Sequence, residues 1–444
     1  MTIKRKLTVA FIAVLVALSM SSCKSDTTQH NTEETEEETT TSSPPEESMR
    51  GYSIVSKTFN KENAEIPKIY ITTAQDPNKE EYCAASIKIS DNSGQYTEIN
   101  SDNVSITVRG HTTANGAKKP YNIKFTEKVN ILGMGYSKKW CLLADLFDPT
   151  LMRNSLVLDF ARNMGLQYTS KCEYVEVFYN GVDKGVYLLC TPVSEGKDKV
   201  DLDLSENDYL LQLQPNYEYS DKIKVTTNSG IMLSVEEGNT DDLTYLNNLL
   251  ADFETSIAYG VEEIKEYADV DSFVDHYIIN EIVKDVDFAT SSLYFYVKNG
   301  KIYAGPVWDF DLSMGNIDKE YYSSYSGGKF DYEGFYCRKL WYYYLMQIPE
   351  FQKMVEQRYR ELQPLIVNLT TDNELGINRI DDILNKYGSD FKNNFVIWGE
   401  GKRYGINGKA PLATYEENVE YLRQWLINRN NWLNSRWNDS QGAE

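Results

Sequence analysis

The sequence predicts an α+β fold, with a β-rich N-terminal half and a mainly helical C-terminal part. Three observations carry this. Apolar and polar residues alternate in short runs through the first half, Gly and Asn-Gly turn signals separate those runs, and beyond Leu340 the apolar spacing becomes helical. A hydrophobic fraction of 41% supplies a core, and about 390 residues after an acidic N-terminal stretch suffice for one large domain or two closely packed ones.

In chain order, residues 1–22 read as a signal peptide. Lys4-Arg5-Lys6 precedes an apolar run from Leu7 to Leu18, too short to span a bilayer, and Ser21-Ser22 stands before Cys23. Cys23 at that junction fits a lipobox, with Met20 where leucine is usual, so lipidation at Cys23 is expected. Residues 23–50 hold an acidic Thr-Glu run and a Ser-Ser-Pro-Pro stretch with almost nothing apolar. Such a segment buries too little surface to offset chain entropy, and reads as a disordered tether from the membrane. The expected location is extracytoplasmic, in the cell envelope, on a lipid anchor.

Residues 51–104 form an N-terminal β-rich region, from the alternation in IPKIYITT and ASIKI, and NVSITVR continues it to Arg109. Residues 105–440 form the main domain. Asp148-Pro149 predicts an N-cap and N1 proline of a helix carrying Met152, Leu156, Phe160 and Met164 on one stripe before Gly165. Runs on either side of Asn180-Gly181 predict a hairpin, and a helix is predicted from about Asp271 to Val283. Leu293 to Lys298 and Lys301 to Val307 predict a second hairpin around Asn299-Gly300. The last helix follows the capping-box pattern Thr414-x-x-Glu417.

A formal charge of -21 argues against nucleic acid as a partner. Five cysteines follow Cys23 without CxxC spacing, which predicts buried free thiols and no zinc site. Three scattered histidines argue against a His-rich metal centre or a Ser-His-Asp hydrolase.

The stretch EIVKDVDFATSSLYFYVKNGKIYAGPVWDFD, Glu281 to Asp311, is the most informative. Asp285 and Asp287 follow a helix, and Asp309 and Asp311 follow the second hairpin strand, both able to face one side if that strand continues. Protein kinases place a catalytic aspartate, a metal-binding asparagine five residues on, a hairpin and a magnesium-holding aspartate in this order. Asp287, Ser292, the hairpin and Asp309 occupy those places. Phosphoryl transfer needs one carboxylate to orient the attacking hydroxyl and another to hold a divalent cation against the phosphates. Upstream, a loop with Gly110 and Gly116 precedes a strand bearing Lys124, as when a kinase covers and neutralises phosphates.

These pieces, together with VRGHTT, KKPYNIKF, ILGMGYSKKWCLLADLFDPTLMRN, VFYNGVDKGVYLL and LRQWLINRNNWL, resemble the spore coat protein H (CotH) kinase family of atypical, protein-kinase-like phosphotransferases. The resemblance runs in family order over roughly residues 66 to 436. It implies a divergent two-lobed protein-kinase-like fold, with a β-rich N-lobe before about residue 195 and a helical C-lobe after it. It implies Asp287 as catalytic aspartate, Asp309 with Asp311 as metal ligands, and Lys124, Arg109 and Ser292 toward the nucleotide, the cofactors being ATP with Mg²⁺ or Mn²⁺. Arg153 and Asn154 match a family pair to which the sequence assigns no role. Ser292 stands where a metal-binding asparagine is usual, Asp285 where asparagine is frequent, Thr191 where many members carry glutamate, and Gln212 and Gln214 where acids are frequent.

Three functions follow: a kinase moving the γ-phosphoryl of ATP to Ser or Thr of a protein substrate; a surface binding module on a kinase-like scaffold; and a glycosidase using Glu281 and Asp309. Tyrosine clusters at 321–325 and 342–344 fit packing or sugar stacking, and a cell-surface partner would suit the module.

Overall fold

The computed structural model describes residues 65–110, 112–214, 222–318, 331–399, 409 and 411–437. All of them belong to the unit Gly51–Glu444. The signal peptide, Cys23 and the tether lie outside the described residues.

Seven strands close into a barrel: β1 (Lys68–Thr73), β2 (Cys83–Ser90), β3 (Ile99–Val108), β4 (Tyr121–Asn130), β5 (Tyr136–Leu143), β6 (Cys172–Tyr179) and β7 (Val182–Cys190), in the spatial order β1-β2-β3-β4-β5-β7-β6. Neighbours are antiparallel except at the closure, where β1 runs parallel to β6 with Ile69 opposite Val177. Period-two alternation sends Ile69, Ile87, Ile106, Ile123, Trp140, Val175 and Leu189 inward, and they fill the barrel. Each such fully buried aliphatic side chain contributes about 1.5–3 kcal/mol.

This overturns the expected two-lobed kinase architecture, although the α+β class holds. Closure depends on pairing the first strand with one about a hundred residues later, and local patterning carries no signal for that. β3 also runs through residues 104 and 105, so the barrel continues across the boundary expected there.

The outer face of β5, β7 and β6 is apolar as well, and Cys141, Tyr174, Leu188 and Cys190 join the second, larger core. On it lie α1 (Arg153–Asn163) and a second antiparallel sheet, ordered β12-β11-β8-β10-β9: β8 (Tyr209–Leu213), β9 (Lys224–Thr226), β10 (Met232–Glu237), β11 (Tyr294–Lys298) and β12 (Lys301–Ala304). Helices α2 (Thr244–Ser256), α3 (Val261–Tyr267) and α4 (Val270–Val283) precede the β11–β12 hairpin. After it come α5 (Trp341–Leu345), α6 (Pro349–Glu361), α7 (Gln363–Asn368), α8 (Arg379–Trp398) and α9 (Tyr415–Trp437). None of these helices is long and apolar enough to cross a membrane.

Asp269 caps α4 by accepting from Ser272 N at 2.7 Å. The α9 capping box forms in both directions, Thr414 Oγ1 accepting from Glu417 N and Glu417 Oε2 from Thr414 N. Trp341 and Tyr342 pack with Phe253, Phe273 and Phe295, whereas Tyr343 and Tyr344 are exposed. The 321–325 cluster lies outside the described residues. His276 is a core residue, bonded to the Tyr342 hydroxyl at 2.8 Å and held neutral by burial, which pushes its pKa down to about 3.

Two local expectations need correction. Helix α1 starts at Arg153, because the Asp148 carboxylate accepts from Thr150 N and Arg153 N and holds an intervening turn. Strand β12 stops at Ala304, before Gly305-Pro306, since proline offers no N–H to a ladder. Asp309 and Asp311 therefore sit on a loop.

Candidate functional site

Two loops build the site, one after α4 and one after β12. In the first, the Asp287 carbonyl accepts from Thr290 N (2.8 Å), Ser291 N (3.1 Å) and Thr290 Oγ1 (2.7 Å), which coils the chain tightly. Ser292 then turns back in a left-handed conformation (φ 56°), and its hydroxyl donates to Asp309 Oδ2 at 3.2 Å. Asp309 is itself left-handed, at φ 71°. Asp287, Ser292 and Asp309 are partly exposed, while Asp285 and Asp311 are buried behind them.

The second loop is clamped from the start of α1. Asn154 Oδ1 accepts from Phe310 N at 2.7 Å, and its Nδ2 donates to Asp145 Oδ1 at 2.8 Å. Arg153, 1% exposed, donates through Nε to Ser313 O and through Nη2 to Met314 O, and pairs with Asp148 at 2.5 Å. The Arg-Asn pair thus fixes the loop on both sides of Asp311.

Carboxylates crowd this region. Burial, reinforced by Asp309 and Asp287, holds Asp311 well above the usual carboxylate range. Burial and then Asp287 do the same to Asp285. Asp145 is pushed up to about 7, by burial first, with Asp148 and Asp309 adding and Asn154 and Lys118 opposing. Lys118 is 3% exposed, donates to Val186 O, lies 4.6 Å from the Tyr187 ring centre, and is lowered to about 7 by burial.

Arg109 lies over Trp308 at 5.2 Å. Burial acts against its charge, but Cys141 and Asp309 outweigh that and hold it protonated. Its Nη1 is buried without a hydrogen-bond partner. Lys124 is exposed on the outer face of β4, with its ammonium 5.8 Å from the Tyr82 ring, and Tyr82 in turn feels Arg109. Glu281 is fully buried, accepts from Tyr336 N and Cys337 N, and pairs with Arg429 at 2.8 Å. It is an anchor for the chain, not an acid partner for Asp309.

The donor set fits a hard cation and a phosphate chain. Asp309 Oδ2 and Ser292 Oγ are adjacent, partly accessible oxygens, and the unsatisfied Arg109 Nη1 suits a phosphoryl oxygen. Among the described residues, no three His, Cys, Asp or Glu side chains form a closed metal-holding group. Mg²⁺ bound with a nucleotide needs only one or two carboxylates, the rest of its shell being water and phosphate.

Sequence reasoning gives Asn154, Asp145 and Lys118 no part in the site, and Asp148 only a helix N-cap. The signal for the acids was the spacing in LADLFDPT beside the Arg-Asn pair, whereas Lys118 is told from the neighbouring Lys119 only by its burial.

Comparison with known proteins adds two findings. The model of the family described as CotH kinase protein matches residues 106–433, well over half of the chain and including every candidate residue from Arg109 to Asp311. The inner spore coat protein H of Bacillus subtilis (strain 168) is 28% identical over 179 residues, covering 38% of this chain and 47% of that protein, so the match spans about half the length of that relative. With the matched region enclosing both loops and the Arg-Asn clamp, the chain belongs to the CotH kinase protein family.

Proposed function

We propose that the chain is an atypical kinase-like phosphotransferase, moving the γ-phosphoryl of ATP to a Ser or Thr hydroxyl of a protein substrate. The observation that carries this reading is the Ser292–Asp309 contact beside Asp287, with the unsatisfied Arg109 Nη1 facing the same carboxylate field. Asp309 with Ser292, and Asp311 behind them, would hold Mg²⁺ or Mn²⁺. When bound, that ion supplies charge neutralisation for the phosphates. Asp287 is the group to orient the acceptor hydroxyl and take its proton, being the accessible carboxylate of the first loop. Arg109 binds phosphate oxygens, and Lys124, farther out, adds positive charge on the approach. Asn154 and Arg153 hold the second loop in place.

Export as a lipoprotein on Cys23 and display at the cell envelope belong to the same proposal. It is supported by the order of charges, apolar run and small residues before Cys23, and by the name of the relative, which places that protein in a spore coat. Nucleic acid remains an unsuitable partner for a chain of charge -21.

A second reading, a catalytically weak binding module, is favoured by Ser292 standing where a metal-binding asparagine is usual and by exposed Tyr343 and Tyr344. The full chain with Mg²⁺ and ATP together should melt higher than with either alone, and Asp309→Ala should lose most of that shift. Binding without phosphoryl transfer to any acceptor supports the module; no shift at millimolar ATP with either metal removes the nucleotide from the proposal.

A further inference from the structure

Cys172 and Cys190 face each other across β6 and β7. Thr191 N donates to Lys171 O at 3.0 Å, so 171 and 191 are the hydrogen-bonded pair of the ladder and 172 and 190 the adjacent non-hydrogen-bonded one. At such positions the Cα atoms approach to about 4.5 Å and the side chains come closest, within the range a disulfide spans. The Cys190 thiol donates to Leu188 O at 3.9 Å, and the Cys172 sulfur accepts from Arg162 Nη1 at 4.0 Å. Cys190 also stands opposite Cys141 on β5. Because the 190 backbone groups point away from β6, that second pairing is the hydrogen-bonded, wider kind.

The two thiols are not equivalent. Cys172 is partly exposed, and the Arg162 guanidinium lies 4.0 Å from its sulfur. The adjacent Cys190 thiol and the charge of Arg162 make Cys172 more acidic than an ordinary thiol despite burial, whereas burial pushes Cys190 well up. A cavity of about 340 Å³ opens against the residues flanking the pair, Ser170, Lys171 and Thr191, and is also lined by Arg162, Lys197 and Lys199. Four cations against one carboxylate, Asp198, leave this opening net positive in a chain of charge -21.

We propose that Cys172 and Cys190 form a cross-strand disulfide by exchange with a small anionic disulfide admitted through this cation-lined cavity. The Cys172 thiolate attacks one sulfur of the incoming disulfide, forming a mixed disulfide and expelling one thiolate. Cys190 loses its proton and attacks Cys172 Sγ, expelling the second. Two cysteine thiols are oxidised, the incoming S–S bond is reduced, and the two cysteine protons end on the two released thiols. The new bond staples β6 to β7 beside Thr191.

The test treats the full chain with oxidised glutathione, then alkylates it under denaturing conditions and maps the peptides. The expected product is a Cys172–Cys190 linkage, lighter by two hydrogens, with Cys83, Cys141 and Cys337 still alkylated. Cys190→Ser should retain one glutathione on Cys172. The double charge reversal Lys171→Glu with Lys197→Glu should slow glutathione by about tenfold and leave neutral hydroxyethyl disulfide little changed. Alkylation of both Cys172 and Cys190 after oxidation, a Cys141–Cys190 linkage in their place, or glutathione persisting on wild-type Cys172 overturns the proposal. The wild-type map decides the question even if Cys190→Ser fails to fold.

Discussion

Asn154→Ala removes two buried hydrogen bonds at once, and its effect can be worked from the loop it holds. Asn154 is 4% exposed, and it joins Phe310 N at 2.7 Å to Asp145 at 2.8 Å. Truncation leaves the Phe310 N–H buried without its acceptor, which costs about 1–3 kcal/mol, and takes from Asp145 a donor worth about 1 kcal/mol more. A destabilisation of about 2–4 kcal/mol is therefore expected in urea denaturation, with an unchanged slope. The functional loss should exceed what unfolding explains, because Asp309 precedes the released amide directly. Mg²⁺-dependent ATP binding, measured by calorimetry on the fraction that remains folded, should weaken by about tenfold or more, equivalent to one lost charge-assisted contact. Asn154→Asp separates position from stability. As a neutral acid it can still accept from Phe310 N, but ionised it places another negative charge beside Asp145, so its binding should approach wild type at low pH and fail as pH rises. An Asn154→Ala protein that denatures at the wild-type midpoint and binds Mg²⁺ and ATP unchanged would refute the clamp.

Further outcomes follow from other parts of the fold. Asp145, with its pKa raised to about 7, keeps its proton in the native chain while the unfolded chain loses it near 3.8, so the native state binds more protons and its contribution falls as pH climbs from about 4 to about 7. The melting temperature of Asp145→Asn minus that of wild type should accordingly grow over that window, and a flat difference would sink the idea. Arg429→Met strands the fully buried Glu281 and should cost about 3–5 kcal/mol in urea denaturation, partly recovered by adding Glu281→Gln. Thr414→Ala should cost about 1 kcal/mol by loss of the α9 cap and leave ATP binding as it was; a binding change would mean that α9 couples to the site.

What could be read from the chain was local. Asn180-Gly181 and Asn299-Gly300 turn where their residue types require, and Thr414 and Glu417 cap each other because both partners lie within one turn. The order Asp287, Ser292, hairpin, Asp309 was legible as spacing, and the loops bring Ser292 to Asp309. Barrel closure was not legible, since β1 and β6 each show ordinary strand alternation and nothing in either names its partner. Nor was the role of Asn154, whose amide bonds a backbone group 156 residues away. The strand expected to run to Val307 ends at Ala304, and Asp309 reaches the site in a left-handed conformation that residue type alone does not announce for aspartate.

The parallel seam between β1 and β6 also sets which piece of the chain can stand alone. The family match opens at residue 106, inside β3, so β1, β2 and most of β3 precede it. A fragment trimmed to the matched residues would keep β4 to β7 but leave β4 and β6 as bare edges, each offering a row of unpaired N–H and C=O groups to other molecules. The inward side chains Ile123 and Val175, now sealed from water, would lie along those edges. Such a fragment should self-associate when expressed, while a chain begun before Lys68 retains every strand of the ring.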